Sequence, residues 1–151
     1  MSAPATASIE AITLDNTRWP VAIGSAARLS KVSAKMVRHY ESLGLLAPVA
    51  RTDSGYRQYT EADVRTLQFI KRGRDLGFSM AEIAELVGLW HDRKRASASV
   101  KRIAQKHVND LAHRIESMQA MQRTLVALLK HCQGDERPDC PILDDLAGRC
   151  C

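Results

Sequence analysis

Aromatic side chains are rare in this chain: two Phe, two Trp and three Tyr make up 5% of its 151 residues. A core built from that composition is aliphatic. The sequence holds no glycine-rich phosphate loop, which removes the commonest nucleotide-binding signature. It holds no internal repeat, and no low-complexity tract beyond its opening segment. No apolar run approaches the length that crosses a bilayer, and the opening segment lacks the hydrophobic centre of a signal peptide. The expected location is therefore cytoplasmic, with no membrane partner. Thiols stay reduced there, so the four cysteines read as ligands or free thiols. The alternative, a structural disulfide between Cys132 and Cys140, suits an exported protein.

What is present is basic and aliphatic. Hydrophobic residues reach 45%, enough for a real core, and the net charge of +5 with a pI near 9.2 permits nucleic-acid binding without establishing it. The placement of charge says more. Residues 24–59 carry six basic side chains (Arg28, Lys31, Lys35, Arg38, Arg51, Arg57) against two acidic ones (Glu41, Asp53). Residues 132–151 carry two basic side chains against five acidic ones.

The pattern predicts a mainly α chain. Residues 1–18, rich in Ala, Ser and Thr, have no period and read as a disordered arm. Val21 and Ile23 suggest a short strand, and residues 24–29 a short helix. Ser33 is an N-cap for a helix over 34–43, with Met36, Val37, Tyr40 and Leu43 at helical spacing and Gly44 as its stop. Two extended runs, 45–49 and 56–59, flank a turn through Gly55 and predict a hairpin. Thr60 with Asp63, and Ser79 with Glu82, form capping boxes that open two more helices, ending near Leu76 and Leu89. Two helices followed by a hairpin make a winged helix-turn-helix head over residues 19–90.

In such a head the second helix enters the major groove. It offers Ser33, Lys35, Arg38 and His39. The Arg38 fork suits a guanine edge, and the Lys35 ammonium suits a phosphate. Tyr40 either packs against the hairpin or touches the DNA backbone. The hairpin offers Arg51, Tyr56, Arg57 and Tyr59 for phosphate and sugar, unless these side chains form only a solvated face. The implied partner is double-stranded DNA.

Residues 96–131 contain neither Gly nor Pro and predict one helix roughly 50 Å long. Val108, Leu111, Ile115, Met118, Gln122, Leu125 and Leu129 step by three and four, a heptad seam with one polar member. So long a stripe needs a partner helix, and a second copy supplies one; the alternative is a helix folded back on its own head. The seam continues to Cys132. Residues 132–151 then form a loop with Cys132 and Cys140 as its only thiols before the chain end, and a short helix after Pro141. Two soft thiolates without a histidine between them suit Cu(I), Ag(I) or Au(I) in near-linear geometry. Zinc usually takes four ligands. A thiol enzyme or metal carrier is a further alternative, but no catalytic base constellation accompanies these thiols.

The run Arg38-His-Tyr40-Glu41-Ser-Leu-Gly44-Leu45-Leu46, then Arg51, Gly55-Tyr56-Arg57, Tyr59, the stretch 69–78 and Glu82-Ile83 resemble the MerR family of transcription regulators. The resemblance spans about residues 20–148. It implies a homodimer with an antiparallel coiled coil of long helices, a palindromic promoter with overspaced elements, and RNA polymerase waiting on it. An effector then shifts a two-state balance and distorts the DNA. It also implies a phosphate contact from Arg74. The thiol loop and the following Pro141-Ile142-Leu143 are similar to the copper-efflux, CueR-like branch, which activates a metal-efflux promoter. In that branch Ser97 stands where divalent-metal relatives carry a cysteine; it is equally an ordinary helix cap. A bis-thiolate site holding a monovalent ion has one excess negative charge, which Lys101 of a partner's long helix, or the N-terminus of the short helix, is expected to offset. The same fold also accommodates a sensor of a divalent metal or of an organic molecule, against which the lack of a third cysteine and of an aromatic-rich C-terminal domain argues. For a divalent metal His131, next to Cys132, is a further ligand.

Overall fold

Across residues 14–132, 134 and 138–149, which the computed structural model describes, six α-helices and one two-stranded hairpin form. They fall into two units, Met1–Ala96 and Ser97–Cys151.

The first unit begins with a turn in which Thr17 N–H donates to the Leu14 carbonyl at 3.1 Å. Leu14 is buried in the core. The expectation of a disordered arm is thus corrected for residues 14–18, because one apolar side chain finds a place among the helices; residues 1–13 lie outside the described residues. Val21 is extended, but its partner is Tyr59 through a single antiparallel bridge. Ile23 is already helical, opening α1 (Ile23–Ser30), so the anticipated strand shrinks to one residue. Lys31 ends α1 in the left-handed region at φ 59°. Ser33 then caps α2 (Ala34–Ser42) by accepting from Met36 N–H at 3.3 Å. Gly44, at φ 75°, turns the chain out of α2 at little steric cost.

The hairpin pairs later than its sequence suggests. Strand β1 (Ala50–Arg51) lies antiparallel to β2 (Arg57–Gln58), with Ala50 opposite Gln58 and Arg51 opposite Arg57. Residues 45–49 instead run along the core, with Leu46 buried and Leu45 and Val49 packed against it. Both capping boxes form as anticipated. Thr60 and Asp63 exchange bonds at 2.9 and 3.2 Å to start α3 (Glu61–Asp75). Ser79 and Glu82 do so at 2.8 and 3.2 Å to start α4 (Met80–His91). Each box satisfies two N–H groups that a helix start leaves open.

The core of this unit is aliphatic with two tyrosines: Ala26, Val37, Tyr40, Tyr59, Val64, Leu67, Ile70 and Ile83. Helix α3 packs on α1 and α4, and α1 packs on α2. The Gln68 amide donates to the Leu29 carbonyl at 3.0 Å and fixes α3 against the end of α1. That frame holds α2 and the hairpin on one scaffold.

The second unit is α5 (Ser97–His131), 35 residues, and α6 (Pro141–Leu146), which pack on each other. Of the α5 side chains only Ile103 and His107 are buried. The seam beyond them is open: Val108, Ile115, Met118, Leu125 and Leu129 are each more than half exposed. Proline at the first position of α6 suits a helix start, since its missing N–H would have had no partner there.

Candidate nucleic-acid interface and metal centre

Helix α2 presents Ser33, Lys35, Arg38 and His39 to solvent while Val37 and Tyr40 are buried. The helical period explains the division: the apolar residues face the core and the basic ones face out. Tyr40, open between two roles from sequence, is 4% exposed and belongs to the core. It therefore supports the basic face from beneath. Arg74 is exposed in the last turn of α3.

At the hairpin, Tyr56 is 71% exposed at the tip. The tip is closed by Thr52, whose hydroxyl accepts from Tyr56 N–H at 3.1 Å, and by Gly55 at φ 86°. Arg51 and Arg57 stand directly opposite one another on the two strands. Like charges in that register repel. They are drawn apart by different acceptors: Arg51 donates to the Gly55 carbonyl at 3.0 Å, and Arg57 Nε donates to Glu41 Oε2 of α2 at 2.9 Å. Tyr59 Oη donates to the same Glu41 oxygen at 3.2 Å. Tyr59 is fully buried, so it is a core residue and not a DNA contact. Glu41 is the residue that sequence reasoning passed over. An acid within a basic segment was the available signal.

At the other unit, Cys132 directly follows α5. Its N–H is shared between the Leu128 and Leu129 carbonyls at 3.1 and 3.2 Å, so the helix fixes its backbone. Cys140 is the N-cap of α6, and its carbonyl accepts from Asp144 N–H at 3.0 Å. Both thiols are free and half-buried. They thus sit at the C-terminal end of α5 and at the N-cap of α6, two helices that pack on each other. Among the described residues no group of three or more His, Cys, Asp and Glu is gathered to hold a metal. The loop residues 133 and 135–137, and Cys150 and Cys151, lie outside the described residues. His131 is exposed.

Ser97 and Lys101 are exposed in the first turns of α5. Cys132 lies beyond its far end, ~45 Å along the helix axis from Lys101. One chain cannot bring these residues to its own thiols. Any role for them at the metal belongs to a second copy running the opposite way.

A family model described as MerR HTH family regulatory protein matches residues 21–88, and one described as MerR, DNA binding matches residues 64–128. The chain is 55% identical over 129 residues to an uncharacterised HTH-type transcriptional regulator of Pseudomonas aeruginosa, covering 85% of this chain and 98% of the relative. The chain belongs to the MerR family of transcription regulators. A second MerR relative, heavy metal-dependent transcription regulator 2 of Rhizobium meliloti, is 52% identical over 125 residues, covering 83% of this chain and 85% of that one. The HTH-type transcriptional regulator CueR of Escherichia coli is 39% identical over 128 residues, covering 85% of this chain and 95% of CueR. Among solved structures, a transcription regulator of Ralstonia metallidurans in complex with lead(II) superposes with a TM-score of 0.73 at 28% identity, covering 83% of this chain and 98% of that one. These relatives are regulators, and so this MerR protein is not an enzyme. Among the described residues no helix is long and apolar enough to cross a membrane.

Proposed function

We propose that this MerR protein is a metal-responsive activator that senses Cu(I), Ag(I) or Au(I) through Cys132 and Cys140. The observation that carries the metal reading is the donor set: two free thiols at the junction of α5 and α6, with no third His, Cys, Asp or Glu gathered with them among the described residues. Its relatives named as heavy metal-dependent and as CueR support the same reading.

Residues 19–90 form the DNA-binding head, with Arg38 reading a base edge and Ser33, Lys35, His39, Arg51, Tyr56, Arg57 and Arg74 holding the backbone. Residues 96–131 form the dimerisation helix, and the exposed seam from Val108 to Leu129 is covered by the same helix of a second copy. In that antiparallel pair the partner's Ser97 withholds a third sulfur, and the partner's Lys101 offsets the negative charge of a bis-thiolate site. Residues 132–151 sense the ion. The dimer works in the cytoplasm, on a metal-efflux promoter occupied by RNA polymerase. Binding of the ion at Cys132 and Cys140 moves α6 and shifts the balance between two DNA-bound states.

A second reading, a sensor of a divalent ion, is favoured by one observation: the structural neighbour from Ralstonia metallidurans holds lead(II). The test is a promoter reporter with the Cys132→Ser, Cys140→Ser double variant. This variant is expected to bind promoter DNA as the parent does and to lose induction by copper, silver and gold salts. Loss of DNA binding, or induction that persists, contradicts the proposal. Induction of the parent by lead or zinc salts alone supports the second reading.

A further inference from the structure

Glu41 is a carboxylate placed where two fields oppose it. It lies in the last turn of α2, toward the negative end of the helix dipole. On the reading above, it also lies on the helix that enters a groove walled by phosphates. The structure nevertheless gives this acid two donors on one oxygen, Arg57 Nε at 2.9 Å and Tyr59 Oη at 3.2 Å.

The two donors differ in freedom. Tyr59 is immobilised: it is fully buried, and its backbone exchanges both hydrogen bonds with Val21 at 2.8 Å. It anchors the carboxylate. The Arg57 side chain is 30% exposed and is reached by Glu41 only at Nε. The terminal nitrogens of Arg57 have no partner among the described residues. A guanidinium is planar and carries five N–H groups. Fixing Nε therefore fixes the direction of the other four. A side chain held this way loses little further freedom when it meets an anion.

We infer that Glu41 is a positioning residue for DNA binding: through Nε it holds the Arg57 guanidinium so that its terminal N–H groups face a backbone phosphate. This rests on the DNA-binding reading of the head. Charge alone argues the reverse, since removing an acid beside phosphates would tighten binding. The two accounts thus predict opposite signs.

The experiment uses the full chain and a duplex enriched by the wild type from a randomised library. Affinity is followed by fluorescence anisotropy across a series of potassium chloride concentrations. Glu41→Ala is expected to weaken binding about tenfold. It is also expected to flatten the salt dependence by about 0.9 per lost phosphate contact. Arg57→Lys keeps the charge but lacks the fork, and is expected to behave the same way. Adding Glu41→Ala to Arg57→Ala is expected to cost nothing more, because the acid acts through the arginine. Tighter or unchanged binding by Glu41→Ala overturns the inference, as does simple addition of the two losses. Should Glu41→Ala fail to fold, wild-type affinity and slope in Arg57→Lys overturn it equally. If the wild type enriches no duplex at all, the DNA-binding reading falls and takes the inference with it; enrichment with unmoved variants removes the inference alone.

Discussion

The phenol of Tyr59 donates to the carboxylate of Glu41 across 3.2 Å, joining the end of the hairpin to the last turn of α2. Burial first, and then the Glu41 charge, push the Tyr59 pKa from 10.0 up to about 12. An unfolded tyrosine ionises near its ordinary value, so at alkaline pH the unfolded chain loses this proton before the folded one does. The stability contribution of Tyr59 is thus complete below pH 10 and is lost as the pH rises toward 12. Tyr59→Phe is expected to cost about 1.5 kcal/mol at neutral pH through the lost hydrogen bond to a charged acceptor. It is also expected to remove part of the alkaline decline. Urea unfolding at neutral and alkaline pH checks both, and an unchanged alkaline slope in the variant contradicts the assignment.

Gly73 of α3 faces Ile83 of α4 at close range. A Cβ added at Gly73 would stand 3.1 Å from Ile83 Cγ1 and 3.3 Å from its Cδ1. Ile83 is fully buried and has little room to yield. Gly73→Ala gains about 1 kcal/mol of helix propensity but forces an overpacked contact that costs about 1 to 3 kcal/mol. The expected outcome is a net loss of about 1 kcal/mol in thermal unfolding. A more stable variant would show that α4 can shift.

The α5 seam tests the proposed dimer. Leu125 is 51% exposed in a single chain, so a charge there would cost an isolated protomer almost nothing. In a helix pair the same charge is buried without a partner. Leu125→Glu is expected to convert the dimer to monomers by light scattering while far-ultraviolet circular dichroism of the head persists. A dimer of unchanged mass would place the interface elsewhere.

Local chemistry was legible in the sequence, and long-range chemistry was not. The two capping boxes and the Ser33 cap involve residues three apart, and the spacing alone announces them. The unbroken α5 follows from the absence of Gly and Pro over 96–131. Leu14 gave no such signal. One leucine in a polar arm becomes a core residue only when distant helices provide its pocket. The bridge from Val21 to Tyr59 spans 38 residues, and the Glu41 contact with Arg57 spans 16. Neither separation has a period to betray it. The paired thiols were visible as spacing. Their placement at the end of α5 and at the N-cap of α6 required the fold, whereas the length that separates Ser97 and Lys101 from the thiols of their own chain was already legible in the unbroken stretch 96–131.

The ion itself is the most direct test of the whole account. X-ray absorption on the copper(I)-loaded full-length protein is expected to show two sulfur neighbours at a single short distance, and the signal should vanish with Cys132→Ser, Cys140→Ser. A shell of four mixed sulfur, nitrogen and oxygen neighbours, or an unchanged signal in the double variant, would contradict the two-thiolate sensor.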